Sequence, residues 1–307
     1  MENKTLIFGH KNPDTDSICS SLVMEKFDKN LGFDVEAVRL GEVNKETAYV
    51  LNYLGIEAPR MISCVEDGQA VVLVDHNEFS QSVDGIEKAK IETVVDHHRI
   101  ANFQTAEPLY YRAEPVGCTS TILYKKFKEE NMTIEKKEAV LMLSAIVSDT
   151  LLFKSPTCTK EDIIACEELA KIAEIDVNTY GLDMLKAGTD LSDFTPDGLI
   201  NIDSKEFANG DFKFQVAQVN TACIEDVLKG KTEIENAIQN FINSNGLNLF
   251  VFLITDIINS NSQCIVLGNN TEAFEKAFNT TLEDNMSFLE GVVSRKKQVA
   301  PVILNNI

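Results

Sequence analysis

The chain has 307 residues, 44% of them hydrophobic and 25% charged, a globular composition with length enough for two cores of about 150 residues each. With 48 acidic residues against 28 basic ones, the formal net charge is -20, which argues against nucleic acid as a partner, because a phosphate backbone is bound through a basic face. The apolar run Leu249 to Ile254 is far shorter than the roughly 20 residues of a membrane span, no signal segment follows Met1, and seven scattered cysteines form no Cys-x-x-Cys pair, so a cytoplasmic chain with free thiols is expected.

In chain order, Thr5 to Phe8 predicts a strand, Ser17 to Phe27 a helix, Val35 to Arg39 a strand and Lys45 to Leu54 a helix. Ala70 to Val74 and Ile91 to Val95 read as buried strands, each an apolar or β-branched run that stops at an aspartate, and Thr119 to Lys128 and Glu135 to Val147 carry helical spacing. This alternation predicts an α/β fold with a doubly wound parallel sheet. Between residues 186 and 197 the pattern breaks into a polar segment with Gly188 and Pro196, which places a linker at 188–196 between domains at 1–187 and 197–307. Beyond it, strands at Phe212 to Val219, Leu247 to Thr255 and Gln263 to Leu267 and helices at Ile224 to Val227, Glu233 to Phe241 and Thr271 to Phe278 predict a smaller α/β domain with a mixed sheet.

The four histidines of the chain, His10, His76, His97 and His98, all accompany aspartates at the ends of expected strands: His10 with Asp14 and Asp16, His76 with Asp75, and His97 and His98 with Asp96. In open α/β sheets the ligand crevice lies outside the carboxyl ends of the strands, where these loops meet. Clustered carboxylates raise one another's pKa unless a cation neutralises them, so a metal is implied. Imidazole mixed with carboxylate oxygen suits Mn²⁺ or Co²⁺, with Zn²⁺ also open and Mg²⁺ served by positions with oxygen alone. His10, Asp14, Asp16, Asp75 and His97 are too many ligands for one tetrahedral centre, and two ions about 3.5–4 Å apart sharing a carboxylate accommodate them. Asp149 follows the helical run Leu141 to Val147, near a helix end where the macrodipole disfavours an anion. Each segment has a plainer reading: Asp14 and Asp16 as helix caps, Asp75 as a turn residue beside a packed His76, Asp149 as a solvated helix end.

Ser294-Arg295-Lys296-Lys297 sets three cations in a row in an acidic chain, either as a solvated face or as a clamp for phosphate oxygens, and Lys205 is a surface lysine or a further member of that clamp. Neither a G-x-x-x-x-G-K-[ST] loop nor a G-x-G-x-x-G turn occurs.

Taken together, His10-x-Asn12-Pro13-Asp14-x-Asp16-Ser17, Val74-Asp75-His76, Asp96-His97-His98 and Ser294-Arg295-Lys296-Lys297 resemble the manganese-dependent family II inorganic pyrophosphatases of the DHH phosphoesterase superfamily, from the first strand to the last and in order. The resemblance implies a metal-binding N-terminal domain, a phosphate-binding C-terminal domain and an active site in the cleft between them. It implies His10, Asp14 and Asp75 on one metal and Asp16, Asp75, His97 and Asp149 on a second, with Asp75 bridging. His98 is then the catalytic hydrogen-bond donor or general acid, and Lys205, Arg295 and Lys296 bind substrate; Lys297 carries no assigned role. Expected cofactors are two Mn²⁺ ions, replaceable by Co²⁺, with Mg²⁺ on the substrate. The expected reaction is hydrolysis of pyrophosphate to two phosphates by a metal-activated hydroxide, in a short form of the family without a regulatory insert and as a homodimer. The alternatives are a DHH-type exopolyphosphatase or nucleotide phosphoesterase, whose nucleotide-directed members carry a Gly-Gly-Gly-His type motif absent here, and a catalytically silent sensor of metal and phosphate.

Overall fold

A computed structural model describes residues 4–307, which divide into two compact units at Gly188/Thr189. The N-terminal unit runs β1 (Thr5–Phe8), α1 (Thr15–Asn30), β2 (Val35–Arg39), α2 (Lys45–Leu54), β3 (Arg60–Met61), β4 (Ala70–Val74), β5 (Lys90–Asp96), β6 (Tyr110–Ala113), α3 (Thr119–Glu129), α4 (Lys136–Thr150), α5 (Lys160–Ala173) and α6 (Val177–Gly188). Its six strands are all parallel, in the order β3-β2-β1-β4-β5-β6. Ile7, Phe8, Val71 to Val74, Val94 and Val95 are buried, as expected of parallel strands covered on both faces. The strand order reverses between β1 and β4, so the segments after those two strands, which carry His10 and Asp75, open at the switch point.

The doubly wound sheet expected from the sequence is present, with additions. α5 and α6 occupy a stretch in which no element is expected, and the helix runs on to Gly188 through residues read as the start of a polar break. The buried stripe of α5 is Ala165, Cys166, Leu169, Ala170 and Ala173, mostly small side chains whose apolar period is shallow.

The C-terminal unit runs α7 (Pro196–Leu199), β7 (Ser204–Asn209), β8 (Phe212–Thr221), α8 (Ile224–Leu228), α9 (Lys231–Asn245), β9 (Leu249–Asp256), β10 (Asn261–Gly268), α10 (Glu272–Phe278), β11 (Met286–Leu289) and α11 (Ala300–Leu304). Its mixed sheet has the order β11-β10-β9-β8-β7, with β8 and β9 parallel and the other pairs antiparallel. Alternation along β9 explains its unbroken apolar run: Phe250, Phe252 and Ile254 join Ile234, Ile238 and Ile242 of α9, whereas Leu249, Val251 and Leu253 join Phe274 and Ile303 on the other face. No helix among the described residues is long and apolar enough to cross a membrane.

One buried charge in the N-terminal unit makes stability depend on pH. Burial lifts the Asp28 carboxyl to about 6, with Lys126 opposing the shift. The folded chain therefore holds this proton more tightly than the unfolded chain does, so Asp28 opposes folding above pH 6, and that cost fades as pH falls from 6 toward 4. Asp28→Asn is expected to raise stability by on the order of 2–3 kcal/mol at pH 8 and by less than about 1 kcal/mol at pH 4 in denaturant titrations. An equal gain at both pH values would remove the carboxyl as its source.

Candidate metal centre

The centre is assembled where β1, β4 and β5 end. Asp14, the N-cap of α1, accepts from the Ser17 amide through Oδ1 at 3.0 Å, while its Oδ2 lies 3.4 Å from His10 Nε2. The capping reading and the ligand reading of Asp14 are thus compatible, since each uses a different oxygen. Asp16, in the first turn, is fully buried; Oδ1 accepts from Ser20 at 2.6 Å and Oδ2 from the Thr119 amide at 2.7 Å.

Asp75 follows β4 with φ of 59°, a left-handed conformation that aspartate tolerates better than most residues, and is 1% exposed. Its Oδ2 accepts from Ser17 Oγ at 2.7 Å and lies 3.4 Å from His10 Nε2; its Oδ1 lies 3.4 Å from His97 Nε2. One carboxylate therefore addresses two imidazoles through opposite oxygens. Burial, followed by Asp16 and Asp14, pushes its carboxyl well above the usual range.

His97 Nδ1 is 3.1 Å from the Val116 carbonyl. A carbonyl can only accept, so Nδ1 carries a proton and, in the neutral ring, Nε2 presents its lone pair toward Asp75 and toward Asp149 Oδ2 at 3.8 Å. Asp149 stands one residue before the end of α4, and its Oδ2 is buried without a hydrogen-bond partner. Burial, then Asp16 and Asp75, raises its carboxyl well above the ordinary value. A buried oxygen without a donor, set among carboxylates at the negative end of a helix, is a position that a cation satisfies. The donor atoms form three groups, each within 4.8 Å: His10, Asp14 and Asp75; Asp75, His97 and His98; and Asp16, Cys118 and Asp149. The donor set fits transition-metal ions.

His98 stands apart from the ligands in its hydrogen bonding. Its Nδ1 is 2.9 Å from Asp96 Oδ1, which also accepts its backbone N–H, and the ring is half exposed. The hydrogen bond to Asp96 raises its pKa against the opposing effect of burial. Burial acts to raise the Asp96 carboxyl, but hydrogen bonds from His98 and Asn77 outweigh it and hold the group below its usual value. Both ring nitrogens of His76 are taken up outside the cluster: Nδ1 meets the Val74 carbonyl at 2.9 Å, Nε2 meets Ser82 Oγ at 3.1 Å, and burial lowers its pKa to about 4. The plainer reading of His76, a packed neighbour, describes it.

In the C-terminal unit Arg295 opens a π-helical turn over Arg295–Val299. Its guanidinium pairs with Asp203 through Nε at 2.9 Å and through Nη2, and its backbone N–H donates to Gln218 Oε1 at 3.0 Å. Ser294 Oγ caps the turn by accepting from the Lys297 amide. Lys205 lies on β7, two residues after Asp203, so the Asp203 pair brings Arg295 to that strand's start.

Two family models divide the chain between them, the DHH family N-terminal domain over residues 4–146 and the DHHA2 domain over residues 182–306. A manganese-dependent inorganic pyrophosphatase of Bacillus subtilis (strain 168) is 56% identical over 301 residues, covering 98% of this chain and 97% of the relative. A probable manganese-dependent inorganic pyrophosphatase of Exiguobacterium sp. is 58% identical over 299 residues, 97% of each chain. The chain belongs to the manganese-dependent inorganic pyrophosphatases. The crystal structure of a putative family II inorganic pyrophosphatase from Methanococcus jannaschii aligns with a TM-score of 0.62 at 39% identity, covering 98% of both chains.

Within this pyrophosphatase chain the structure adds the groups that support these ligands. Ser17 and Thr119 donate to the two oxygens of Asp75, and the buried thiol of Cys118 stands beside Asp16 and Asp149. Glu46 joins Thr15 to Ser148, and Gln218 anchors the Arg295 backbone. Of these, Ser17 closes the motif that begins at His10 and opens an expected helix, and Thr119 opens another.

Proposed function

We propose that this chain hydrolyses pyrophosphate to two phosphates with two Mn²⁺ ions sharing Asp75. The observation that carries the reading is the single buried aspartate addressed through opposite oxygens by His10 and His97. His10, Asp14 and Asp75 would hold one ion and Asp16, Asp75, His97 and Asp149 the other. Bound divalent ions supply Lewis acidity, making water a better nucleophile at neutral pH and offsetting charge on the transferring phosphoryl group.

The protein's own groups do the rest. Ser17 and Thr119 orient Asp75, and the Val116 carbonyl orients His97. His98, with Nδ1–H given to Asp96, keeps Nε2 for the substrate, and the Asp96 carboxylate supports the protonated ring that a general acid needs. Lys205, Arg295 and Lys296 bind phosphate oxygens, Arg295 as a planar fork that Asp203 holds in place. Water attacks phosphorus directly, with no covalent enzyme intermediate. In the same reading Mg²⁺ accompanies the substrate, Co²⁺ replaces Mn²⁺, and the chain works as a cytoplasmic homodimer.

Phosphate release by metal-stripped protein, with Mn²⁺ plus Mg²⁺ or with Mg²⁺ alone, tests this on pyrophosphate, tripolyphosphate and adenosine 3′,5′-bisphosphate. Fast turnover of pyrophosphate that Mn²⁺ enhances is expected; preference for either other substrate would move the chain to an exopolyphosphatase or nucleotide phosphoesterase activity, and no turnover would leave a sensor. His98→Gln is expected to lower kcat by about 10²–10⁴-fold with Mn²⁺ content unchanged. Arg295→Ala should raise KM and likewise spare the metal; lost metal in either variant would contradict the assigned roles.

A further inference from the structure

The segments that carry Asp16 and Asp149 come from distant parts of the chain, and one carboxylate joins them. Thr15, between Asp14 and Asp16, donates through Oγ1 to Glu46 Oε1 at 2.6 Å. Ser148, the residue before Asp149, donates its hydroxyl to the same oxygen. Thr15 also shares a hydroxyl contact of 3.2 Å with Thr47, beside Glu46 on α2. The second side of Glu46 is closed by Gly188, where a Cβ would come within 2.8 Å of Glu46 Cβ and 3.1 Å of its Oε2.

We propose that Glu46 is a positioning residue for the ion assigned to Asp16 and Asp149, acting as a clasp that sets the spacing between the first turn of α1 and the last turn of α4. This rests on the two-ion reading given above. Asp16 has its own hydrogen-bond partners, Ser20 and the Thr119 amide, whereas Asp149 Oδ2 accepts no hydrogen bond and reaches His97 Nε2 only at 3.8 Å, so the backbone on which Asp149 sits has a large part in placing that oxygen. Ser148 is adjacent to it, and the Ser148 hydroxyl binds the same atom as Thr15. Groups that hydrogen-bond metal ligands directly alter metal affinity by about 10–100-fold when removed, and Glu46 acts to the same end through the residues beside the ligands. His10 and Asp14 pair directly with each other, and His10 with Asp75, so the other ion should depend far less on Glu46.

The test is a Mn²⁺ titration of metal-stripped protein, followed by the electron paramagnetic resonance signal of the free ion, on wild type, Glu46→Ala, Glu46→Gln and Ser148→Ala. Glu46→Ala is expected to weaken one of two ions about 10–100-fold and the other less than about threefold. Glu46→Gln, whose amide oxygen accepts the same two hydroxyls, should return to within about threefold of wild type, and Ser148→Ala should fall between. The spectral signature of two spin-coupled ions should appear at saturation in wild type and be delayed to higher Mn²⁺ in Glu46→Ala. Unchanged affinity for both ions in Glu46→Ala would overturn the clasp, and so would equal weakening of both. Should Glu46→Ala fail to fold, Ser148→Ala decides by the same criterion. Wild type that binds no Mn²⁺ would instead remove the two-ion reading itself, so the two failures are distinct.

Discussion

Asp75→Asn is expected to abolish uptake of both Mn²⁺ ions and to lower pyrophosphate turnover by about a thousandfold or more, while the metal-free protein becomes no less stable. The loss follows from the geometry, in which Oδ1 and Oδ2 of one side chain each face a different histidine. Withdrawing a shared anionic ligand removes several kcal/mol of charge stabilisation from the transition state, the equivalent of that rate loss. Asparagine is the informative replacement because the backbone is left-handed here, with φ of 59°, a conformation that asparagine adopts readily and alanine does not. Of its two donors, Ser17 to Oδ2 and Thr119 to Oδ1, one can still donate to the amide oxygen, and the hydroxyl of the other can turn to accept from the amide NH2. In the metal-free wild type Asp75 stands buried near Asp14 and Asp16, and like charges at that depth oppose folding, so removing one relieves the fold. Thermal melts should therefore show Mn²⁺ stabilising wild type by mass action and leaving the variant unmoved. A variant that keeps two ions by elemental analysis would end the bridging role.

How much of this was legible before the structure depends on the range of the signal. Strands β1, β4 and β5 could be read because parallel strands buried on both faces leave apolar runs, which stop at an aspartate for β4 and β5 and at Gly9, just before His10, for β1. The histidines and aspartates were legible for the same reason, as loop residues following those runs. β7 and β11 were not, since edge strands of six and four residues with polar exposed positions have too little period to detect. Nor was Glu46, which looks like an ordinary acidic residue in the first turn of α2. Its partners lie 31 and 102 residues away, and no local pattern records a hydrogen bond across that distance. Residues that touch a metal repeat recognisable chemistry, whereas residues that hold those ligands in place are defined by the fold.

Gly9→Ala, a change of one methyl group that removes no functional side chain, is expected to be the other most damaging substitution in the N-terminal unit. A Cβ at Gly9 would stand 2.5 Å from Ser17 Cβ, 2.6 Å from Ser17 Oγ and 2.7 Å from Ser17 Cα. Rotating the serine moves only Oγ, so the remaining overlap can be relieved only by shifting the first turn of α1 away from β1. That turn carries the Asp14 cap and Asp16, and Ser17 itself donates to Asp75 and accepts from the His10 amide. A shift therefore disturbs ligands of both proposed ions together, where loss of the Ser17 hydroxyl alone removes one support. Overpacking of this kind costs about 1–3 kcal/mol, a fall of roughly 2–4 °C in Tm for each kcal/mol in a unit of this size. Ser17→Ala is the control: it deletes the Asp75 hydrogen bond with no push on the helix, and should weaken Mn²⁺ binding less and leave Tm nearer to wild type. If Gly9→Ala and Ser17→Ala gave the same Tm and the same Mn²⁺ affinity, α1 would not be moving, and the close approach of β1 to α1 would not be what holds the ligands in register.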